Sequence, residues 1–122
     1  LWEKDQPSEV ECVAFSPDGK RFVTGDEEFM VTIWNTQTGN VVKRFEVDSG
    51  LDGITWSHDG RLIAAGSEKG DVLFWNADTF APMGKMNVGS TVNSLDFTRD
   101  DKRLAVAGNT QTPDPQTGKI KW

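Results

Sequence analysis

A repeat with a period of 41 residues constrains this chain more than any other feature of its sequence. The turn-forming segment SPDGK at 16–20 recurs as SHDGR at 57–61 and, in weakened form, as TRDDK at 98–102. The tripeptide IWN at 33–35 recurs as FWN at 74–76. Because two independent markers share one period, the 122 residues divide into about three copies of one structural unit.

Each copy has the pattern of short β-strands separated by tight turns. The pairs Asp18-Gly19 and Asp59-Gly60 indicate hairpins, because glycine adopts the positive φ that a tight turn needs. Glycines interrupt the chain, and no long 3.6-residue periodicity lies between the turns, so helices are not expected. The predicted strands are Cys12–Phe15, Arg21–Thr24, Met30–Trp34 and Val41–Glu46, then Ile54–Trp56, Leu62–Ala65, Val72–Trp75 and Met83–Asn87, then Ser94–Phe97 and Arg103–Ala107.

Several predicted strands are apolar on both faces. Cys12–Phe15 and Leu62–Ala65 are continuous apolar runs, without the alternation of a strand that has one face in water. Such strands need cover on both sides. Four-stranded sheets arranged radially provide that cover, since each sheet packs between two neighbours.

The segment from Val10 to Gly19, followed by Ile33-Trp34-Asn35, resembles the WD-repeat β-propeller family. The resemblance covers essentially the whole chain and implies an all-β fold of antiparallel four-stranded blades, about three of them, in an incomplete ring. It places repeat one at about 7–47, repeat two at about 48–88 and a truncated repeat three at about 89–122, with an inserted loop at 108–117. The structural repeat markers are Asp18, Gly19, Trp34, Asp59, Gly60 and Trp75.

The sequence departs from the family pattern at polar positions. The usual Trp-Asp pair is Trp34-Asn35 here, the Gly-His pair is absent, and the turn aspartate is replaced by Glu28 and Lys69. We therefore expect the blades to depend more on aromatic packing of Trp34, Trp56 and Trp75 than on the family's buried polar network.

The length corresponds to fewer blades than a closed ring uses, since propellers have typically 4–8 blades. We expect the chain to be a fragment of a larger WD-repeat protein. The alternative is self-assembly, in which Leu1–Gln6 of a neighbouring copy supplies the outer strand of the third blade and a homo-oligomer closes the ring.

Charge and composition argue against several classes of function. The 13 basic and 19 acidic residues give a net charge of −6, which disfavours nucleic acid and anionic membranes as partners. One cysteine and one histidine leave little for a metal site or a catalytic triad. We predict that His58 is an exposed turn residue, that Cys12 is a buried structural thiol, and that Asp26-Glu27-Glu28 is a solvated loop. No catalytic, cofactor-binding or metal-binding residues are predicted.

A partner-binding rim is predicted from the loops. Phe29 precedes the third strand of repeat one, and packing against the neighbouring blade is its first interpretation, with an exposed partner anchor as the alternative. In the family, the loops that join second to third strands share one face of the disc. The resemblance therefore implies a candidate rim of Glu27, Glu28, Phe29, Glu68, Lys69 and, in the insertion, Thr112, Pro113 and Asp114.

The predicted function is a non-catalytic protein–protein interaction scaffold that binds protein or peptide partners. One alternative is a regulatory or substrate-binding propeller portion of a larger enzyme, for which the innermost strands offer mainly acids, Glu9, Glu11, Asp52 and Asp96. The other is the self-assembling fragment described above. The single cysteine and the lack of a signal-peptide pattern favour an intracellular, cytoplasmic setting.

Overall fold

Regular structure in the computed structural model, which describes residues 9–109 and 120–121, consists of β-strands alone. Three antiparallel sheets follow one another along the chain, and we name them blades 1, 2 and 3. Blade 1 has the order β1 (Val10–Phe15), β2 (Arg21–Asp26), β3 (Met30–Asn35), β4 (Val41–Glu46). Blade 2 has the order β5 (Leu51–Trp56), β6 (Leu62–Ser67), β7 (Asp71–Asn76), β8 (Pro82–Asn87). Blade 3 has the order β9 (Thr91–Phe97), β10 (Leu104–Asn109), β11 (Ile120–Lys121).

The blades confirm the predicted all-β architecture, and each predicted strand lies within three residues of the observed bounds. Strand β10 continues to Asn109, so the first two residues of the predicted inserted loop belong to a strand. The rest of that loop lies outside the described residues, as do Leu1–Gln6 and the predicted rim residues Thr112, Pro113 and Asp114.

The hairpin turns repeat the same hydrogen bonds because the same side chains recur. In the first turn the Ser16 hydroxyl donates to Asp18 Oδ1 at 2.7 Å, and the Lys20 amide donates to the same oxygen at 2.9 Å. These bonds hold the pKa of Asp18 below its ordinary value, the amide contributing most. Gly19 completes the turn at φ 73°. The weakened third copy keeps this geometry, with Thr98 donating to Asp100 Oδ1 at 2.8 Å.

The core lies between the blades. Blade 2 presents Ile54, Trp56 and Ile63 to the face of blade 1 that carries Val23 and Ile33, and all five side chains are buried in one cluster. A second cluster joins the other face of blade 2 to blade 3. Trp56 adds a polar bond across the first junction, where its indole Nε1 donates to the Ala14 carbonyl at 3.0 Å.

One blade face is open in the described part of the chain. Val13 and Phe15, which occupy in blade 1 the places of Ile54 and Trp56, are 55% and 57% exposed. The expectation that both faces of Cys12–Phe15 are covered is not met on this face within the described residues, as the predicted incomplete ring implies. It holds for the other face, where Cys12 and Ala14 pack against the core.

The polar network is more complete in blade 1 than predicted. Trp34 Nε1 donates to Thr24 Oγ1 at 3.0 Å, and the indole stacks on Phe22 with ring centroids 5.9 Å apart. Blade 2 fits the prediction better, because Ala65 stands where blade 1 has Thr24 and the Trp75 ring instead packs 5.3 Å from the Phe45 ring of blade 1.

Asp26 is also not the solvated loop residue that the sequence predicts. Its side chain is buried at the end of β2, where Oδ1 accepts the amides of Glu28 and Met30 at 2.9 and 3.1 Å. Arg44 Nη2 lies 3.9 Å from its other oxygen. Asp26 thus fixes the β2–β3 loop, which carries the candidate rim residues.

Candidate functional site

The candidate rim is built from loops that leave the blades at one edge. In antiparallel blades, alternate loops lie at the same edge, so the β2–β3 loop with Glu27, Glu28 and Phe29 shares an edge with the β6–β7 loop that carries Glu68 and Lys69. All five side chains are exposed. The structure therefore brings the two described parts of the predicted rim to one side, and we call these five residues the Phe29 rim.

Negative charge is concentrated beside this rim. Desolvation and four neighbouring carboxylates raise the pKa of the Glu11 carboxyl above its ordinary value. In order of decreasing effect the four carboxylates are Glu68, Asp52, Glu27 and Glu9. The sequence predicts Glu9, Glu11 and Asp52 only as residues of the innermost strands. The structure joins them to the rim acids.

Lys69 does not neutralise this group. Its Nζ lies 3.5 Å from Asp48 Oδ2, in an ion pair whose side chains are both more than half exposed. Such a surface pair contributes little to stability, about 0–1 kcal/mol. The rim consequently presents a mostly acidic surface to solvent.

Phe29 is the exposed apolar residue within that acidic surface. Its side chain is 41% exposed, so the first interpretation, packing against the neighbouring blade, is wrong. Its backbone has φ 67°, a left-handed conformation that is costly for a bulky residue. In blade 2 the equivalent position is Gly70, at φ 88°. Blade 2 thus has glycine, which adopts this conformation without steric cost, at the position where blade 1 has phenylalanine.

Phe80 provides a comparison within the same chain. It has φ 62° at the position where blade 1 has Gly39, so it carries the same backbone strain. Phe80 packs against the first core cluster, and the Arg21 guanidinium carbon lies 5.9 Å from its ring centroid. Packing offsets the strain at Phe80, whereas the exposed ring of Phe29 gains much less from burial.

Replacing Phe29 by glycine should therefore stabilise the fold slightly. Relief of a left-handed non-glycine residue is worth about 1–2 kcal/mol, and the added freedom of the unfolded chain offsets about 0.4–1 kcal/mol of it. We expect a net gain in the free energy of unfolding of up to about 1.5 kcal/mol, measured by urea unfolding. The matched control, Phe80→Gly, should lose stability because packed surface is removed. A loss for Phe29→Gly as large as that of the control would show that the Phe29 ring is part of the core.

The sequence predicts that Cys12 is a buried structural thiol and that His58 is an exposed turn residue. Burial raises the pKa of the Cys12 thiol to about 11, so the thiolate is scarce at neutral pH and the thiol is unreactive. The thiol is only partly buried, which is less than predicted. His58 is an exposed turn residue, as predicted, but its ring Nδ1 lies 3.0 Å from Asp101 Oδ1.

The sequence predicts Asp101 only as a turn residue and does not indicate its contact with blade 2. Its carboxylate reaches from blade 3 to the hairpin turn of blade 2, where Oδ1 accepts the His58 amide at 2.7 Å and Oδ2 accepts the Asp59 amide at 2.9 Å. Desolvation raises the pKa of Asp101, but the bonds from His58 and Asp59 outweigh it and the net pKa lies below the ordinary value. This contact links two blades.

The Asp101 link predicts a pH-dependent stability difference. A carboxyl with a depressed folded-state pKa stabilises the fold above its unfolded pKa, and that contribution is lost as pH falls through the folded pKa. Asp101→Asn should lower the free energy of unfolding by about 1 kcal/mol at pH 7. The difference should shrink toward zero in the acid range below the folded pKa. A difference that stays constant with pH would mean that the charge of Asp101 is not what stabilises the junction.

The described residues contain no group of three or more His, Cys, Asp and Glu side chains arranged to hold a metal ion. Over the same part of the chain, no helix has the length and apolarity needed to cross a membrane.

Comparison with known protein families shows which family the chain belongs to. The model of one family, described as eukaryotic translation initiation factor eIF2A, matches residues 2–116. The chain belongs to this family. The match to the eIF2A family includes residues 2–8 and 110–116, which lie outside the described part of the structure.

The solved structures similar to this eIF2A-family chain include WD-repeat propellers. A structure of U3-55K has a TM-score of 0.81 at 17% identity, and RRP9 WD40 repeats have a TM-score of 0.80 at 17% identity; the match covers 85% of this chain and 34% of each of those chains. Hydrazine synthase of Kuenenia stuttgartiensis has a TM-score of 0.78 at 18% identity, covering 88% of this chain and 31% of that one. The chain thus spans about a third of the length of the structures it matches, and at these identities the likeness concerns the fold. The predicted WD-repeat propeller resemblance is confirmed.

Proposed function

We propose that this part of an eIF2A-family protein is a non-catalytic protein-interaction module that binds its partner through the Phe29 rim. The observation that carries the proposal is the exposed Phe29 ring, which is held in a left-handed backbone conformation that glycine adopts in the sister blade. Strain of this kind persists where function requires it. An exposed aromatic ring is also the residue type that dominates binding energy at protein interfaces.

The surroundings of Phe29 suggest the chemistry of the partner. Glu27 and Glu28 precede the apolar anchor in the same loop, and Glu68 lies in the other loop of the rim, so the complementary surface is a basic segment that carries an apolar side chain. The same charge opposes phosphate backbones, which supports a protein rather than a nucleic acid as the partner. The description of the family suggests a partner in the machinery of translation initiation.

An enzymatic role is the second candidate. The observations that favour it are the likeness in fold to hydrazine synthase and the raised pKa of Glu11 among other acids. Under that alternative the chain would be a substrate-binding or regulatory portion of a larger enzyme. The thiol beside these acids, Cys12, has a pKa raised to about 11 and is scarcely ionised at neutral pH, and this lack of an active nucleophile is why the interaction module is preferred.

The residues on the blade faces disfavour closure of a ring by identical copies of the chain. Blades 1 and 2 present Gly25 and Gly66 to the following blade, and a Cβ at Gly66 would overlap Val92. Blade 3 has Ala107 at this position and the exposed Asp96 nearby. A second copy docked there in the same way would meet an added methyl group and would have to desolvate a charge.

A charge-reversal experiment tests the proposed partner chemistry. Partners captured by the full-length parent protein are compared between wild type, Glu28→Lys and the control Gln37→Lys, which adds a positive charge at an exposed position of the β3–β4 turn, at the opposite edge. The proposal expects capture that weakens with salt, is reduced several-fold by Glu28→Lys and is unchanged by Gln37→Lys. Equal effects of the two substitutions would contradict a specific role for the Phe29 rim.

A further inference from the structure

The two junctions between blades differ at the edge opposite to the Phe29 rim. At the junction of blades 2 and 3, Asp101 stands at the left-handed position of the hairpin turn, with φ 61°. Its carboxylate accepts two backbone amides of the preceding turn, at 2.7 and 2.9 Å. At the junction of blades 1 and 2 the equivalent position is Gly60, at φ 75°, which has no side chain to make this contact.

An open cleft lies where the missing side chain would project. The cleft has a volume of about 580 Å³ and lies between the blade 1 turn at 16–21 and the blade 2 turn at 58–60. A Cβ placed on Gly60 would have its nearest neighbour, Pro17 Cδ, 3.9 Å away, so the space beside the turn is unfilled. The cleft is therefore the counterpart of the place that the Asp101 carboxylate occupies at the next junction.

Some hydrogen-bond donors in the cleft match those that bind the Asp101 carboxylate at the next junction, and others are stronger. The Asp18 amide corresponds to the Asp59 amide, but Pro17 has no N–H where His58 has one. In exchange the cleft is lined by Lys20 and Arg21, whereas the equivalent residues in blade 2 are Arg61 and Leu62. One lost amide donor is replaced by one added guanidinium, a strong donor to carboxylates.

Acidic side chains in the cleft do not prevent a carboxylate from binding. Asp18 and Asp59 line it, and each already accepts bonds from its own turn's serine and amide. Asp78 is a further acid in the lining. At the sister junction the bonds from the Ser57 hydroxyl and the Arg61 amide hold the pKa of Asp59 below its ordinary value against the repulsion from Asp101, and the Asp101 contact still forms. The same turn geometry thus tolerates two neighbouring carboxylates.

We propose that this cleft is a second binding site, which takes the carboxylate of an aspartate or glutamate side chain presented by a partner peptide. Lys20, Arg21 and the Asp18 amide are the donors, and the buried Trp56 and Ala77 form the apolar wall. The site lies on the opposite edge from the Phe29 rim and does not depend on it.

Placing a carboxylate on the chain itself tests the site without a ligand. Gly60→Asp introduces the group that blade 3 carries at Asp101, and Gly60→Asn introduces the same shape without charge. Both variants place a non-glycine residue in the left-handed conformation, which asparagine tolerates at least as well as aspartate. The proposal expects Gly60→Asp to melt at least about 3 °C above Gly60→Asn at pH 7. A melting temperature for Gly60→Asp equal to or below that of Gly60→Asn would overturn it.

Binding of a free probe provides the second readout. The capped amino acid N-acetyl-aspartate methylamide is titrated into the ¹⁵N-labelled chain, with the asparagine analogue as the matched probe. The proposal expects saturable amide shifts in 16–21 and 58–60 with the aspartate probe, at least several-fold weaker shifts with the asparagine probe, and loss of the shifts in Gly60→Asp. Equal response to both probes, or shifts that persist in Gly60→Asp, would contradict the site.

Discussion

Replacing Trp75 by alanine should lower the free energy of unfolding by about 3–5 kcal/mol. The indole is 5% exposed and belongs to the core cluster between blades 1 and 2. Its ring lies 5.3 Å from that of Phe45, so the substitution empties space that both blades line. Blade 2 has Ala65 where Thr24 bonds the equivalent indole in blade 1, so this position depends on packing.

Urea unfolding of Trp75→Ala, compared with Phe15→Ala, measures this effect. Phe15 is an aromatic residue of the same repeat architecture, but its side chain is 57% exposed. We expect the control to lose about 1 kcal/mol or less, since little area leaves the core. Similar losses at the two positions would mean that the packing between blades does not carry the stability.

The second large effect is expected at Gly66, where blade 2 approaches blade 3. A Cβ added at this position would overlap the Val92 side chain, which is itself completely buried. Gly66→Ala should therefore cost about 2–3 kcal/mol through overpacking. At the equivalent Gly25 the nearest atom is the Cys12 thiol, at 2.9 Å, so Gly25→Ala should cost less because that side chain can move.

A double-mutant cycle separates overpacking from other effects of the added methyl group. Val92→Ala removes the atoms that the new Cβ would overlap, and it also loses buried surface of its own. The double variant Gly66→Ala/Val92→Ala should be more stable than the sum of the single losses predicts, by about 1 kcal/mol or more. Strict additivity would rule out the close approach of the two blades at this point.

The sequence predicted the local elements because their causes are local. Asp18-Gly19 and Asp59-Gly60 produce hairpins through the conformational freedom of glycine and through hydrogen bonds within a few residues. The 41-residue period extends each local inference to the next copy, which is why the strand positions of three blades could be predicted from one sequence.

The features that escaped prediction depend on contacts between segments far apart in the chain. Asp26 is buried because its carboxylate closes the following loop and faces Arg44, and residue type alone indicated a solvated acid. The Asp101 contact joins residues more than forty positions apart. The alignment of the copies places Asp101 at a glycine position, but it does not show which backbone amides the carboxylate reaches.

The alignment of the copies also contains the evidence that the backbone of Phe29 is strained. Phe29 is aligned with Gly70, and Phe80 with Gly39, so two phenylalanines stand where a sister turn uses glycine with positive φ. The alignment gives the strain but not the exposure, because burial of each ring depends on which neighbouring side chains reach it. Phe80 meets Arg21 and the core, and Phe29 does not.

The binding of a captured partner to Phe29→Gly, in the full-length parent protein, tests the central claim most directly. The claim is that the strained, exposed Phe29 ring is kept for partner recognition. We expect the variant to be at least as stable as wild type and to bind the partner at least about tenfold more weakly, as for loss of an aromatic anchor. Wild-type affinity in this variant would contradict the claim.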